Sequence, residues 1–219
     1  MEKEGQVQNA ISVQGSSEFD VAPDLAKIRF RILTQSATAQ DAQLRNREIG
    51  ANVASALKQA GVRDNEIETT DYRIEKIQEW DPKLERMVDK GYRATNAFVV
   101  TTKDLQKVGS LLDVGVQAGA NNVDSINFEL SDDKQKEAKT EALRKATKSA
   151  REKADALADG AGVRIGKVLS LSESSYFAMP SARYDVMAMK AEMGGAPETE
   201  ISPQSVRVSA QVSVSYEIA

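Results

Sequence analysis

The stretch that decides the fold is Val206-Arg207-Val208-Ser209-Ala210-Gln211-Val212-Ser213-Val214-Ser215-Tyr216-Glu217-Ile218. Apolar and polar residues alternate through it without a break. Successive side chains of a strand point to opposite faces, so the pattern specifies one long strand with a buried face and a wet face. Two shorter stretches obey the same rule. Ile28, Phe30 and Ile32 stand against Lys27, Arg29 and Arg31, and Ile126, Phe128 and Leu130 stand against Asn127 and Glu129. Looser strand candidates run over 67–80 and 92–102, with Asp81-Pro82 and Lys90-Gly91 in the hairpin connection between them. Segments 7–19 and 164–174 complete the set. Half-wet strands belong to antiparallel sheets, because parallel sheets are covered on both faces.

Helices are expected between these strands. Over 38–60 the apolar positions Ala42, Ile49, Val53, Ala56, Leu57 and Ala60 recur at three- and four-residue steps, and Gly61 follows as a C-terminal stop. A shorter helix begins near Lys103, carries Leu105, Val108, Leu112 and Val116, and stops at Gly119. A third covers about 133–159, with Ala138, Ala142, Ala146, Ala150, Ala154 and Ala158 spaced four apart. Side chains this small let the helix lie close to a sheet. The expected fold class is therefore α+β: an antiparallel sheet with two long helices and one shorter helix packed on it. The matching ends Ala60-Gly61-Val62 and Ala161-Gly162-Val163 also fit a duplicated strand–helix–strand unit. The chain reads as a single domain over 1–219, with a disordered start at 1–6 and an irregular methionine-rich extension at 176–202.

Composition narrows the chemistry. The 219 residues hold 29 basic and 33 acidic side chains, a formal charge of −4, with 41% apolar residues. That is the make-up of a soluble globular chain, long enough for one sizeable core or two small ones. Histidine and cysteine are both absent. This removes Ser-His-Asp and Cys-His nucleophiles, imidazole or thiolate zinc sites, and disulfides. The acidic balance argues against nucleic acid as a partner, and no apolar run is long enough to span a bilayer as a helix.

A series of motifs then becomes recognisable: Ile11-Ser12-Val13-Gln14-Gly15, Val21-Ala22-Pro23-Asp24-Leu25-Ala26-Lys27-Ile28, Lys90-Gly91-Tyr92-Arg93-Ala94, Val108-Gly109-Ser110-Leu111-Leu112-Asp113, and Ile201-Ser202-Pro203 before the closing strand. Taken in order, the series resembles the SIMPL-domain family, the group of periplasmic immunogenic and oxidative-stress defence proteins. The resemblance implies an α+β fold and an exported, periplasmic protein, read here without its signal peptide. It further implies large homo-oligomers and a part in oxidative-stress tolerance without catalysis. It carries no catalytic residues and no cofactor.

The residues offer few sites of their own. Met179, Met187, Met189 and Met193 lie in the irregular stretch. Their thioethers are soft enough for Cu(I) and also suit gap-filling or an oligomer contact, the blander and preferred reading. Asp132-Asp133 reads as the acidic start of a helix rather than an acid–base pair. Trp80 sits at the hairpin tip: exposed, it anchors a subunit contact or touches the envelope surface; buried, it is packing. Trp80, Met187, Met189 and Met193 are the candidate oligomer-interface residues. The first functional expectation is a self-assembling, non-enzymatic envelope protein. The alternative is a binding module for a small ligand, peptide or soft metal with 176–202 as its lid.

Overall fold

A computed structural model describes residues 9–180 and 199–219, so Met187, Met189, Met193 and the start at 1–6 lie outside the described residues. Two compact units emerge among the described residues, one from 9–23, 130–180 and 204–219, the other from 24–129 and 199–203. The architecture is α+β, with the strands divided between two antiparallel sheets.

The first unit holds β1 (Ala10–Val21), β6 (Ile165–Pro180), β7 (Val206–Ile218) and the helix α3 (Asp132–Ala161). The alternating strand β7 lies between the other two, in the order β1-β7-β6. Its Val206, Val208, Ala210, Val212, Val214 and Tyr216 are all buried, and so are all six alanines of the α3 ladder. Why the helix needs alanine is visible at Gly15 of β1. A Cβ placed there would lie 2.0 Å from the Ala146 carbonyl oxygen and 2.6 Å from the Ala150 nitrogen. Helix backbone thus rests almost directly on strand backbone. Two hydrogen bonds fix that seat: Ser17 Oγ donates to the Ala142 carbonyl at 2.8 Å, and Lys153 Nζ donates to the Gln14 carbonyl at 2.8 Å. Helix α3 ends at Gly162, whose φ of 70° is the left-handed conformation that glycine adopts without steric cost.

The second unit holds β2 (Leu25–Ser36), β3 (Ile67–Asp81), β4 (Arg86–Thr102) and β5 (Asn122–Glu129), ordered β3-β4-β2-β5. The helices α1 (Ala39–Gln59) and α2 (Val108–Gln117) pack on it. Here the contact is made by large side chains. Ile28, Phe30, Ile32, Val53, Leu57 and Val100 are fully buried, and Phe30 stacks on Phe98 with ring centroids 5.5 Å apart. Thr38 caps α1 by accepting from the Asp41 amide at 3.1 Å. The expected helix near Lys103 opens instead with a 3₁₀ turn at Leu105–Lys107 and becomes α-helical only from Val108.

Strand β6 runs further than its sequence pattern predicts. Tyr176 to Pro180, the first five residues of the stretch read as irregular, pair with Val206 to Ala210.

Candidate interaction site

Strand β6 forms one edge of the β1-β7-β6 sheet. Its pairing with β7 slips at three places, between Ile165 and Val168, Val168 and Ser170, and Glu173 and Ser175. Each slip is a bulge or irregularity that turns the strand locally. The result is a strand with apolar groups left in water: Val168, Leu169, Leu171, Phe177 and Met179 are all exposed, Leu171 to 57% and Met179 to 59%. Charge on this strand is limited to Lys167 and Glu173. The former pairs with Glu217 at 3.6 Å and the latter with Lys139 of α3 at 2.9 Å.

Phe177 and Met179 pair with the outward Ser209 and Arg207 and face away from α3. For Val168 and Leu171, which pair with the inward Tyr216 and Val214, the cause of exposure is the placement of α3. Its named bonds go mainly to β1, through Ser17 and Lys153. Toward β6 it offers the Lys139–Glu173 pair, Lys139 over the Tyr176 ring, and a long hydrogen bond of 3.4 Å from Tyr176 Oη to the Gln135 carbonyl. Partial burial raises the Tyr176 phenol above its usual range, while Lys139 pulls it the other way. Leu171 pairs with the inward-facing Val214, yet it remains open to solvent. Among the described residues no strand pairs with the outer side of β6, and an edge strand with exposed apolar side chains is a template for pairing with another strand.

Trp80, the residue singled out at the hairpin tip, is 58% exposed and lies opposite Met87 in the β3–β4 ladder. Leu84 in the turn is exposed as well. Beside them Glu79, Trp80, Asp81, Pro82, Lys83, Val88 and Lys90 border an open depression of about 410 Å³. The arm is cross-braced by charge. Lys76 bonds Asp89 at 2.7 Å and Gln78 donates to the same carboxylate at 2.8 Å, so Asp89 is held below the usual carboxylate range. Trp80 is therefore placed as the exposed alternative requires, with Met87 as an unforeseen neighbour.

No set of three or more carboxylates that could hold a metal gathers among the described residues. Asp132 and Asp133 stand in the first turn of α3, as the reading of a helix start requires. Elsewhere the perturbed carboxylates have structural partners. Asp113 of α2 accepts from the Thr199 hydroxyl at 2.6 Å and amide at 3.1 Å, which lowers its pKa. Glu66 is lowered by Arg63 and Glu141 by Arg144. Met179, the one candidate Cu(I) ligand within the described residues, pairs with Arg207 across the ladder, an unpromising neighbour for a cation.

Sequence comparison then fixes the relationship. A family model described as "SIMPL: Protein of unknown function (DUF541)" matches residues 11–216. The chain belongs to the SIMPL family. It is 32% identical to the 26 kDa periplasmic immunogenic protein of Brucella melitensis biotype 1, over 93% of this chain and 82% of that protein. Against the uncharacterized protein YggE of Escherichia coli K12 it is 26% identical, over 95% of this chain and 82% of YggE. YggE of Edwardsiella ictaluri is 27% identical over 95% of this chain and 87% of its own length. Among the described residues no helix is long and apolar enough to cross a membrane.

Proposed function

We propose that this SIMPL-family protein is an exported envelope protein that self-assembles through the β6 edge and supports oxidative-stress tolerance without catalysis. The observation that carries the assembly is the cluster of exposed Val168, Leu169 and Leu171 on β6, whose outer side pairs with no strand among the described residues. Pairing that edge with a second copy would satisfy its backbone groups and remove this apolar surface from water. The hairpin tip with Trp80, Leu84 and Met87 supplies a second apolar contact of the aromatic kind enriched at interfaces. Support for the periplasm comes from the printed name of the Brucella relatives. The stress role rests on family resemblance alone.

Absolute mass by light scattering, across a hundredfold range of concentration, tests the assembly. The expected result is a species several times the 23.8 kDa of one chain; a monomer at every concentration would overturn it. The stress role is tested separately, by comparing peroxide survival of cells with and without the gene.

A further inference from the structure

The wet face of the β1-β7-β6 sheet has a chemistry of its own. The register sets its outward side chains in five rungs of three. In the order β1, β7, β6, the fourth rung is Glu18, Ser209 and Phe177, and the third is Ser16, Gln211 and Ser175. These two rungs border an open depression of about 380 Å³. The first two rungs, Ser12, Ser215 and Ser170, then Gln14, Ser213 and Ser172, contain only hydroxyls and one amide. A second depression of about 290 Å³ lies along them. The two hollows are four residues apart on β7, roughly 13 Å at strand rise.

One aromatic ring, Phe177, stands in the floor of the larger hollow at 54% exposure. Around it are a carboxylate from Glu18, an amide from Gln211 and hydroxyls from Ser16, Ser175 and Ser209. Arg207 in the fifth rung already serves Glu18 at 3.4 Å and Asp20 at 3.5 Å. Among the described residues no unspent positive charge therefore remains there for a phosphate. The carboxylates in turn have their counter-ion, which leaves a poor site for a metal. Several of these groups already have hydrogen-bond partners, Ser12 with Ser215, Ser213 with Ser174, and Gln211 Nε2 with Gln14 Oε1 at 2.9 Å. Hydroxyls and amides both donate and accept, however, so each keeps further capacity. A ligand matching this face carries many hydroxyl groups and an apolar ring face, spaced over more than one unit.

We propose that this sheet face binds a neutral oligosaccharide, with one sugar ring lying on Phe177 and hydrogen-bonded by Gln211 and Glu18. The next units would run along the Ser and Gln rungs toward Ser12 and Ser215. Recognition combines an apolar ring contact with a few convergent polar groups, the usual composition of a small-molecule site. This inference does not depend on assembly through the edge, because the face is formed within one chain.

The test is ¹H–¹⁵N NMR titration of the full chain with chitotriose, with cellotriose in a parallel arm and inositol hexakisphosphate as an anionic control. Saturable shifts confined to amides of 12–18, 170–177 and 209–215 are expected with at least one of the two sugars, and none with the phosphate. Phe177→Ala and Gln211→Ala should each weaken the affinity at least tenfold while the circular dichroism spectrum stays unchanged; both side chains lie on the wet face and neither supports the core. Absence of saturable shifts with both sugars would overturn the proposal. So would a sugar response unaffected by Phe177→Ala, or a response to the phosphate on the same residues.

Discussion

The two edges of the β1-β7-β6 sheet are both long strands paired to β7 along nearly their whole length. What they expose differs. On β1 the outward positions are Ser12, Gln14, Ser16, Glu18 and Asp20, and the inward Val13 and Gly15 are buried under α3. On β6 Val168 and Leu171, which pair with the inward Tyr216 and Val214, remain more than half exposed. The difference comes from a helix seated off centre. Gly15 allows α3 to approach β1 at backbone distance, whereas the middle of β6 meets α3 through longer side chains, Lys139 reaching Glu173 and Tyr176 reaching the Gln135 carbonyl. A strand tucked under a helix needs glycine and serine, and the strand beyond its reach leaves inward-facing apolar groups in water among the described residues.

The largest way to break this arrangement is to deny the helix its seat. Gly15→Ala drives a methyl group into Ala146 and Ala150. The rigid neighbours are backbone, so the upper range of overpacking applies and a loss of about 3 kcal/mol is expected in urea unfolding. Ser17→Ala is milder. It leaves the Ala142 carbonyl without the hydroxyl that reaches it from β1, a loss of about 1 kcal/mol by the same measurement. Smaller again is Glu173→Gln on β6, whose pair with Lys139 is about 40% exposed on both sides; roughly 0.5 kcal/mol is expected. Stability should therefore fall steeply for the β1 seat and barely for the β6 edge. Equal losses at Gly15 and Glu173 would mean that α3 is centred after all.

Acidification is the mildest probe. The Glu141 pKa is lowered chiefly by its hydrogen bond to Arg144, and that of Asp113 by Thr199. A carboxylate with a depressed folded pKa contributes stability above its unfolded value and loses it as pH falls through the folded one. Stability should thus hold from neutral pH down to the ordinary carboxylate range and decline only below it. Asp113→Asn should blunt that decline at the Thr199 amide, measured by hydrogen exchange.

Much of this was legible in the sequence. The alternation from Val206 to Ile218 marks the central strand, the four-residue alanine row marks the buried face of α3, and Gly162 marks its end. The edge was not legible. Val168 and Leu169 are adjacent apolar residues that break the period of two, and bulges around them reset which side each one faces. Nor does local sequence say which strand α3 covers, since that is decided by Gly15, more than a hundred residues earlier in the chain. Trp80 shows the same limit: its place at a hairpin tip follows from Asp81-Pro82, but its exposure follows from how far the arm extends beyond its packed neighbours.

The most direct measurement is absolute mass by light scattering for two matched variants, Leu171→Lys on β6 and Ser12→Lys on β1. Both add one lysine to an edge strand at an exposed position, and lysine on an edge discourages pairing with another strand. Leu171→Lys is expected to reduce the assembly to monomer with its unfolding midpoint nearly unchanged, while Ser12→Lys is expected to keep the parent mass. An assembly that survives Leu171→Lys, or one that Ser12→Lys disrupts equally, would contradict the assignment of β6 as the open edge.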